Sequence, residues 1–176
     1  MRWVGDEWHA ARIRVAHEHL ASVAVRRFLT QLRAAYPETG PGPTIVISTP
    51  SGQQHEIGAQ LAACVAAMEG WRELYFGANL PIADIARAAR DTNARVVALS
   101  VTFLADATDL LRDVQELLQS LPTGVVLILA AELVSSMDDD QLAAIRNREQ
   151  LDAAGAKCVE SLTGFRDELN ALGRRS

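Results

Sequence analysis

Residues 44–58 read Thr-Ile-Val-Ile-Ser-Thr-Pro-Ser-Gly-Gln-Gln-His-Glu-Ile-Gly, a β-branched run followed by a turn and by the start of an Ala-rich segment. The apolar run Thr44 to Ser48 predicts a strand that is buried on both faces, because it lacks polar alternation. Pro50 and Gly52 mark the turn after it. From His55 to Glu69, apolar residues recur at three- and four-residue spacing, which predicts a helix. This strand, loop and helix together form the basic unit of a parallel sheet covered by helices.

The same unit recurs along the rest of the chain. The predicted strands are Thr44 to Ser48, Glu73 to Phe76, Val96 to Val101, Val125 to Ala130 and Lys157 to Glu160. The predicted helices are His55 to Glu69, Ile82 to Asp91, Ala107 to Ser120, Asp139 to Ala153 and Thr163 to Leu172. Five strands alternating with five helices predict an α/β fold, a flavodoxin-like doubly wound five-stranded parallel sheet over residues 44–176. Its ligand is expected beyond the carboxyl ends of the strands.

A helical segment precedes this domain. We predict a helix from about Asp6 to Ala35 within residues 1–36, followed by a linker at residues 37–43, where three prolines and two glycines end any helix. A single amphipathic helix cannot bury its own apolar stripe. It must pack on the α/β domain, on another subunit, or on helices missing from this chain, as the remnant of a helix bundle.

Composition excludes several classes of function. The 176 residues carry a formal net charge of -5, so we expect no direct binding of nucleic acid by this chain. The longest apolar stretch, residues 125–131, is too short to span a bilayer, and the start does not resemble a signal peptide, which predicts a cytoplasmic protein without membrane contact. Cys64 and Cys158 are then expected as thiols, not as a disulfide. The sequence has no nucleophile and base pair, phosphate loop or paired acids, so we expect no enzymatic activity of its own.

His55 is the residue most suited to bind a metal. It follows the first strand and so belongs at the carboxyl edge of the sheet, where Gln53 could orient the imidazole. A surface or helix-capping histidine is the alternative interpretation. The sequence lacks CxxC and HExxH spacings. A single ligand therefore suits a metal that arrives inside a macrocycle filling most of its coordination positions.

The N-terminal helix carries a second candidate set. At 100° per residue, His19 and Ser22 lie within about 40° of Trp8, and Glu18 lies about 80° away. Packing of Trp8 in a core is the alternative to ligand contact. Arg26 lies near the same face, where it could pair with Glu18 or with polar edges of a ligand.

These residues resemble a known family. Gln53 to Gly58 resembles the (Asp/Glu)-x-His-x-x-Gly motif of cobalamin-binding domains, with Gln53 in place of the acid. The resemblance implies that His55 is the lower axial cobalt ligand and that Gly58 lies beneath the corrin. Ser100-Val101-Thr102 resembles the family's Ser-x-(Leu/Thr) motif, which lines the pocket for the nucleotide tail. Ala130 and Ala131 stand where many members have two glycines.

The N-terminal residues resemble the light-dependent transcriptional repressors of the CarH type, MerR-family proteins with an adenosylcobalamin sensor. Their signature is a tryptophan with Glu-His ten residues later, here Trp8-His9 and Glu18-His19. By this resemblance Trp8 caps the upper corrin face, and Glu18 and His19 contact the adenosyl group. His9 would reach cobalt after light cleaves the carbon–cobalt bond. Because His9 lies 100° from Trp8 on the helix, this role requires a helix shift.

The resemblance implies a cobalamin-binding regulatory or photosensory domain that controls transcription through a light- or ligand-dependent change of assembly. Adenosylcobalamin is the expected cofactor, with methylcobalamin or hydroxocobalamin as other forms, and a second copy or a DNA-binding regulator is the expected partner. A corrinoid methyl carrier, a heme-binding domain and a cofactor-free interaction domain are the alternatives. The expected cofactor-binding residues, with His55 as the metal ligand, are Trp8, His9, Glu18, His19, Ser51, Gln53, His55, Ile57, Gly58, Ser100, Thr102, Ala130 and Ala131.

Overall fold

The computed structural model describes residues 15–36, 42–101, 107–131 and 155–174 of the chain. In chain order the elements within these ranges are α1 (Val15–Arg33), β1 (Thr44–Ser48), α2 (Ile57–Met68), β2 (Arg72–Tyr75), α3 (Ile82–Asp91), β3 (Val96–Val101), α4 (Ala107–Ser120), β4 (Val126–Ala131), β5 (Ala156–Val159) and α5 (Leu162–Gly173). The helix predicted at residues 139–153 lies outside the described residues, as do Trp8, His9 and Thr102.

The five strands form one parallel sheet in the order β2-β1-β3-β4-β5. This is the flavodoxin-like order, so the predicted fold class is confirmed. Three strands are shifted from the prediction by one residue at both ends. β4 begins at Val126 because the amide of Val125 closes a turn onto the carbonyl of Pro122 at 3.1 Å. β2 and β5 each begin and end one residue earlier than predicted.

Side chains of alternate strand residues enter two separate cores, one on each face of the sheet. Ile45 and Ile47 pack under α2 and α5, whereas Val46 packs under α3 and α4. All three are fully buried. Burial of each such side chain contributes about 1.5–3 kcal/mol, so the two cores hold the strand ends, and the loops that follow them, in fixed places.

The described part of α1 packs against α2 of its own chain. Ser22 and Leu29 are buried in this contact, whereas His19 is exposed. The sequence grouped His19 with Ser22 on one face, but the buried stripe is centred on the side of Glu18, Ser22 and Leu29, so His19 lies at its rim. The opposite side of α1 exposes Leu20, Val23 and Phe28.

Among the helices that the structure describes, none has the length and apolar character needed to cross a membrane.

Candidate functional site

Two loops meet at the carboxyl edge of the sheet and brace each other. The hydroxyl of Thr49, directly after β1, donates to the carbonyl of Gln53 at 2.5 Å and accepts from the amide of Asn79 at 2.9 Å. The side chain of Asn79 in turn accepts from the amide of Gly52 at 2.7 Å. Gly52 has φ +82° at the third position of a turn closed by the amide of Gln53 on Pro50, a conformation that favours glycine. The loop before α2 is therefore held in a defined shape by hydrogen bonds.

His55 lies in this braced loop and is exposed. The prediction that the helix begins at His55 is wrong: α2 begins at Ile57, and Glu56 is its N-cap residue. The histidine consequently precedes the helix at the ligand edge of the sheet, where an imidazole can bind a metal from the solvent side.

The other loop residues predicted for the site surround His55 in sequence. Ser51 is exposed in the turn, whereas Gln53 and Ile57 are half-buried. The orienting hydrogen bond from Gln53 to His55 stays a prediction.

Within the described ranges, no three His, Cys, Asp or Glu side chains come together to hold a metal ion.

A cavity of about 320 Å³ opens beside this loop, between α2, the ends of β3, β4 and β5, and the start of α5. It is lined by Gly58, Leu61, Ala62, Ser100, Ala130, Val159, Glu160, Ser161, Leu162, Thr163 and Phe165. Three residues predicted separately from the sequence, Gly58, Ser100 and Ala130, are thus brought together in one wall. The apolar majority of the lining can accept a flat ring system, with hydroxyl groups for polar contact.

The close approach of α2 to β3 requires a glycine. A Cβ at Gly58 would lie 2.5 Å from Ser100 Oγ, well inside van der Waals contact. Ser100 is buried and is the register partner of Ala130 on the neighbouring strand. The cavity remains open with the methyl group of Ala130 in its wall, and Ala131 is the last residue of β4.

Helix α1 contacts the sheet and the His55 loop through charged side chains. Arg26 Nε lies 3.6 Å from Glu56 Oε1, and Arg33 Nε donates to Glu73 Oε1 at 2.8 Å. The hydroxyl of Tyr75 donates to Glu56 Oε2. Arg26 thus pairs with Glu56 and not with Glu18, because eight residues of helix separate Arg26 from Glu18 by about 12 Å.

The direction of α1 places its N-terminal half beyond the carboxyl edge. Arg33 contacts Glu73 near the start of β2, whereas Arg26 contacts Glu56 in the loop past the end of β1. Continued by about 12 Å along the axis, the helix carries Glu18 outward on the side where the His55 loop lies.

The side chains at that end of α1 contact one another. Glu18 accepts from Ser22 Oγ at 2.8 Å, and its other oxygen lies 3.9 Å from His19 Nε2. Glu18 is half-buried, and the side chain of His19 is 72% exposed. His19 is accordingly the more accessible of the two residues predicted to contact an upper ligand.

Burial tunes two groups under α1. Desolvation, and then the neighbouring carboxylate of Glu56, raise the pKa of Tyr75 well above its usual range, so the phenol keeps its proton and remains a donor. Burial likewise raises the pKa of the Cys64 thiol, whose Sγ lies 3.6 Å from the carbonyl of Leu29. Cys64 is buried and Cys158 half-buried, and no disulfide joins them in the part of the chain that the structure describes.

Sequence reasoning missed the residues that hold the site in place. Thr49 and Asn79 brace the His55 loop, and Glu56 and Tyr75 join it to α1. Asn79 offered one sequence signal, since it lies two residues after Gly77, and glycine and asparagine are both typical of turns. The structure gives Asn79 a positive φ of 60°, which asparagine tolerates. Glu56 gave none, because its partners are distant in sequence.

Two proteins of Myxococcus xanthus are similar to this chain. The HTH-type transcriptional repressor CarA is 37% identical over 89 residues, covering 51% of this chain and 31% of CarA. The HTH-type transcriptional repressor CarH is 31% identical over 122 residues, covering 69% of this chain and 40% of CarH. The chain therefore spans only about a third to two-fifths of the length of these relatives.

Two solved structures share the fold. A cobalamin-binding protein from Desulfitobacterium hafniense aligns with a TM-score of 0.53 at 17% identity, over 98% of this chain and 76% of that one. The monomethylamine corrinoid protein of Methanosarcina barkeri aligns with a TM-score of 0.62 at 16% identity, over 97% and 77%. At these identities the likeness concerns the fold.

The family model described as the B12 binding domain matches residues 43–153, more than half of the 176 residues. This range begins just before β1 and includes the His55 loop, Gly58, Ser100 and Ala130. The chain belongs to the B12-binding domain family.

Proposed function

We propose that this chain is the cobalamin-binding sensor domain of a transcription regulator, with His55 as the lower cobalt ligand. The observation that carries the proposal is the cavity of about 320 Å³ beside the His55 loop, lined by Gly58, Ser100 and Ala130, as a place for the nucleotide tail. The division into a helical cap at residues 1–36, a linker at 37–43 and the binding domain at 44–176 is part of the proposal. So is a cytoplasmic location, where a transcription regulator meets DNA.

Different residues of this chain would bind different parts of the cobalamin. The imidazole of His55 would hold the cobalt through a ring nitrogen. Small and apolar side chains around Gly58 and Ala130 exclude water from the tail, and the hydroxyl of Ser100 offers a polar contact. Glu18 and His19 approach from the overhanging end of α1, where Trp8 and His9 precede them in sequence.

Cobalamin, when bound in its adenosyl form, supplies a cobalt–carbon bond that light can break. Loss of the adenosyl group would remove a contact partner of Glu18 and His19 on α1, and a ligand shifts an equilibrium only through such differential contacts. The exposed apolar side of α1, with Leu20, Val23 and Phe28, supports a readout through assembly with a second copy or with a DNA-binding regulator.

A corrinoid methyl carrier is the second candidate. A carrier needs an accessible upper face for docking to a methyltransferase, and the 72% exposure of the His19 side chain favours it. Ligand preference distinguishes the sensor from the methyl carrier. A sensor should prefer adenosylcobalamin and change its assembly in light, whereas a carrier should accept methylcobalamin equally well without a change in mass.

The test is an anaerobic titration in the dark with adenosylcobalamin, followed by visible spectra and light scattering before and after illumination. We expect a saturable shift to the histidine-bound spectrum, lost in His55→Ala and kept in the control His17→Ala, another exposed histidine. Equal binding and equal spectra for His55→Ala would overturn the ligand assignment. Spectra and mass that do not respond to light would overturn the photosensory part.

A further inference from the structure

The Glu56 carboxylate contacts two separate elements, α1 and β2. Its Oε2 accepts the hydroxyl of Tyr75 from β2, and its Oε1 lies 3.6 Å from Arg26 Nε on α1. By its backbone, Glu56 is also the residue between His55 and the first turn of α2. The carboxylate therefore contacts both the docked helix and the sheet at the point where the loop of the imidazole ends.

The bond to Tyr75 is the stronger of the two contacts. Tyr75 is half-buried and the Glu56 side chain is only 24% exposed, so this charge-assisted hydrogen bond lies largely out of water. The raised pKa of Tyr75 keeps its donor proton in place through neutral pH. Arg26, whose side chain is 35% exposed, adds a weaker ionic contact.

A second arginine of α1 ties the helix to the same tyrosine. The Arg33 guanidinium lies 5.0 Å from the centre of the Tyr75 ring, and its Nε donates to Glu73. Arg26 and Arg33 are seven residues apart, which is two turns of helix. Helix α1 is consequently held at two points, and Tyr75 contributes to both.

We propose that Glu56 is a positioning residue that fixes α1 to the His55 loop, so that the helix carrying Glu18 and His19 and the imidazole move together. This inference rests on the proposed function for its effect on cobalt. Because energetic coupling between two sites is reciprocal, displacement of α1 loosens the loop and displacement of the loop loosens α1.

The first arm of the test uses the chain without cobalamin. The 3% exposure of Cys64 and its contact with the Leu29 carbonyl mean that a thiol reagent reaches it only when α1 moves away. Glu56→Ala should raise the alkylation rate of Cys64 about tenfold, the effect of losing a hydrogen bond to a charged group. Cys158, on β5 and far from α1 in the sheet order, serves as the internal control.

The matched control variant is Glu116→Ala, on α4 at the opposite face of the sheet, which should leave Cys64 unchanged. If both cysteines of Glu56→Ala react faster, the fold itself is loosened. Tyr75→Phe and Arg26→Gln remove the two contacts of Glu56 by changing its partners. These variants then distinguish loss of the contacts from general loosening of the fold. Each should accelerate Cys64 alone, and Arg26→Gln should add little to Glu56→Ala, because neighbours in one network are not additive.

The second arm uses saturating adenosylcobalamin. Glu56→Ala should bind about tenfold more weakly and show a fraction of spectra without the histidine ligand. If Glu56 only stabilised the fold, Glu56→Ala would lower the amount of cobalamin bound, but the bound cobalamin would keep the histidine-ligated spectrum.

Three outcomes separate the two proposals. Cys64 rates and spectra equal to those of Glu116→Ala would overturn the role of Glu56, while loss of the spectrum in His55→Ala would leave the proposed function standing. No uptake of cobalamin by the unmodified chain would overturn the proposed function. The Cys64 rates would still decide whether Glu56 holds α1.

Discussion

The two ends of the sheet each carry a cavity, but the two cavities have different chemistry. The larger, about 630 Å³, lies at the amino ends of the strands and is lined by turn residues and by Arg72, Arg90 and Arg95. The smaller, about 320 Å³, lies at the carboxyl ends among small and apolar side chains beside the His55 loop. The larger cavity is therefore not the one at the end of the sheet that carries the His55 loop.

Helix direction explains the difference. In a parallel α/β fold the helices end at the amino edge, where their last carbonyl groups need donors. Arg90 meets this need by donating to the carbonyl of Ser120, the last residue of α4, at 2.8 Å. At the carboxyl edge helices begin, and Gly58, the second residue of α2, can approach Ser100 closely because it has no side chain. Arg90 therefore stabilises the fold at the amino edge, whereas the carboxyl edge carries the small and apolar lining of the cavity beside the His55 loop.

The substitution expected to have the largest effect is Gly58→Val, at the carboxyl edge of the sheet. The added side chain collides with Ser100 and projects into the tail cavity, and overpacking of this kind costs about 1–3 kcal/mol. We expect cobalamin affinity to fall roughly ten- to hundredfold. Thr123→Leu, which adds apolar bulk to the cavity at the amino edge, is the control and should bind as the unmodified chain does. Equal losses in both variants, measured by spectral titration, would abolish the distinction between the two ends.

A smaller effect concerns pH at the carboxyl edge. Since the folded chain holds the phenolic proton of Tyr75 more tightly than the unfolded chain, its contribution to stability is fully present below pH about 10 and is lost as the pH rises above it. Tyr75→Phe should be less stable by about 1.5 kcal/mol at pH 7, the lower end for a hydrogen bond to a charged group. Urea unfolding at several pH values should show this difference shrinking above pH 10. A difference that stays constant up to pH 11 would argue against the bond to Glu56.

The sequence sufficed to predict the sheet because strand burial is a local pattern. Five apolar runs separated by helical spacing identified the five described strands within one residue, whereas the role of His55 as a cobalt ligand stays a prediction. The resemblance placed Ser100 and Ala130 separately beside the nucleotide tail, and the register of β3 with β4 in the structure brings them into one wall.

The contacts of α1 could not be predicted in the same way. Arg33 and Glu73 are 40 residues apart, and Tyr75 and Glu56 are 19 apart on different elements, so no periodicity links them. A helical wheel gives the apolar face but not its exact rotation on a partner, and a shift of a few tens of degrees exposed His19 while burying Ser22. Arg26 pairs with Glu56 because of tertiary packing, which a helical wheel does not describe.

The smallest expected effect belongs to the amino edge. Arg90→Gln removes an exposed donor to the end of α4, and such exposed helix-end contacts contribute about 0.3–1 kcal/mol. Thermal unfolding should therefore shift slightly, and cobalamin affinity should not change, because the whole length of the sheet separates Arg90 from the His55 loop. Guanidinium groups keep their charge well above pH 10, so the small loss should also be independent of pH in the range where Tyr75→Phe varies. A change in cobalamin affinity in Arg90→Gln would mean that the two ends are energetically coupled through the strands, and the cavity at the amino edge would then belong to the binding unit.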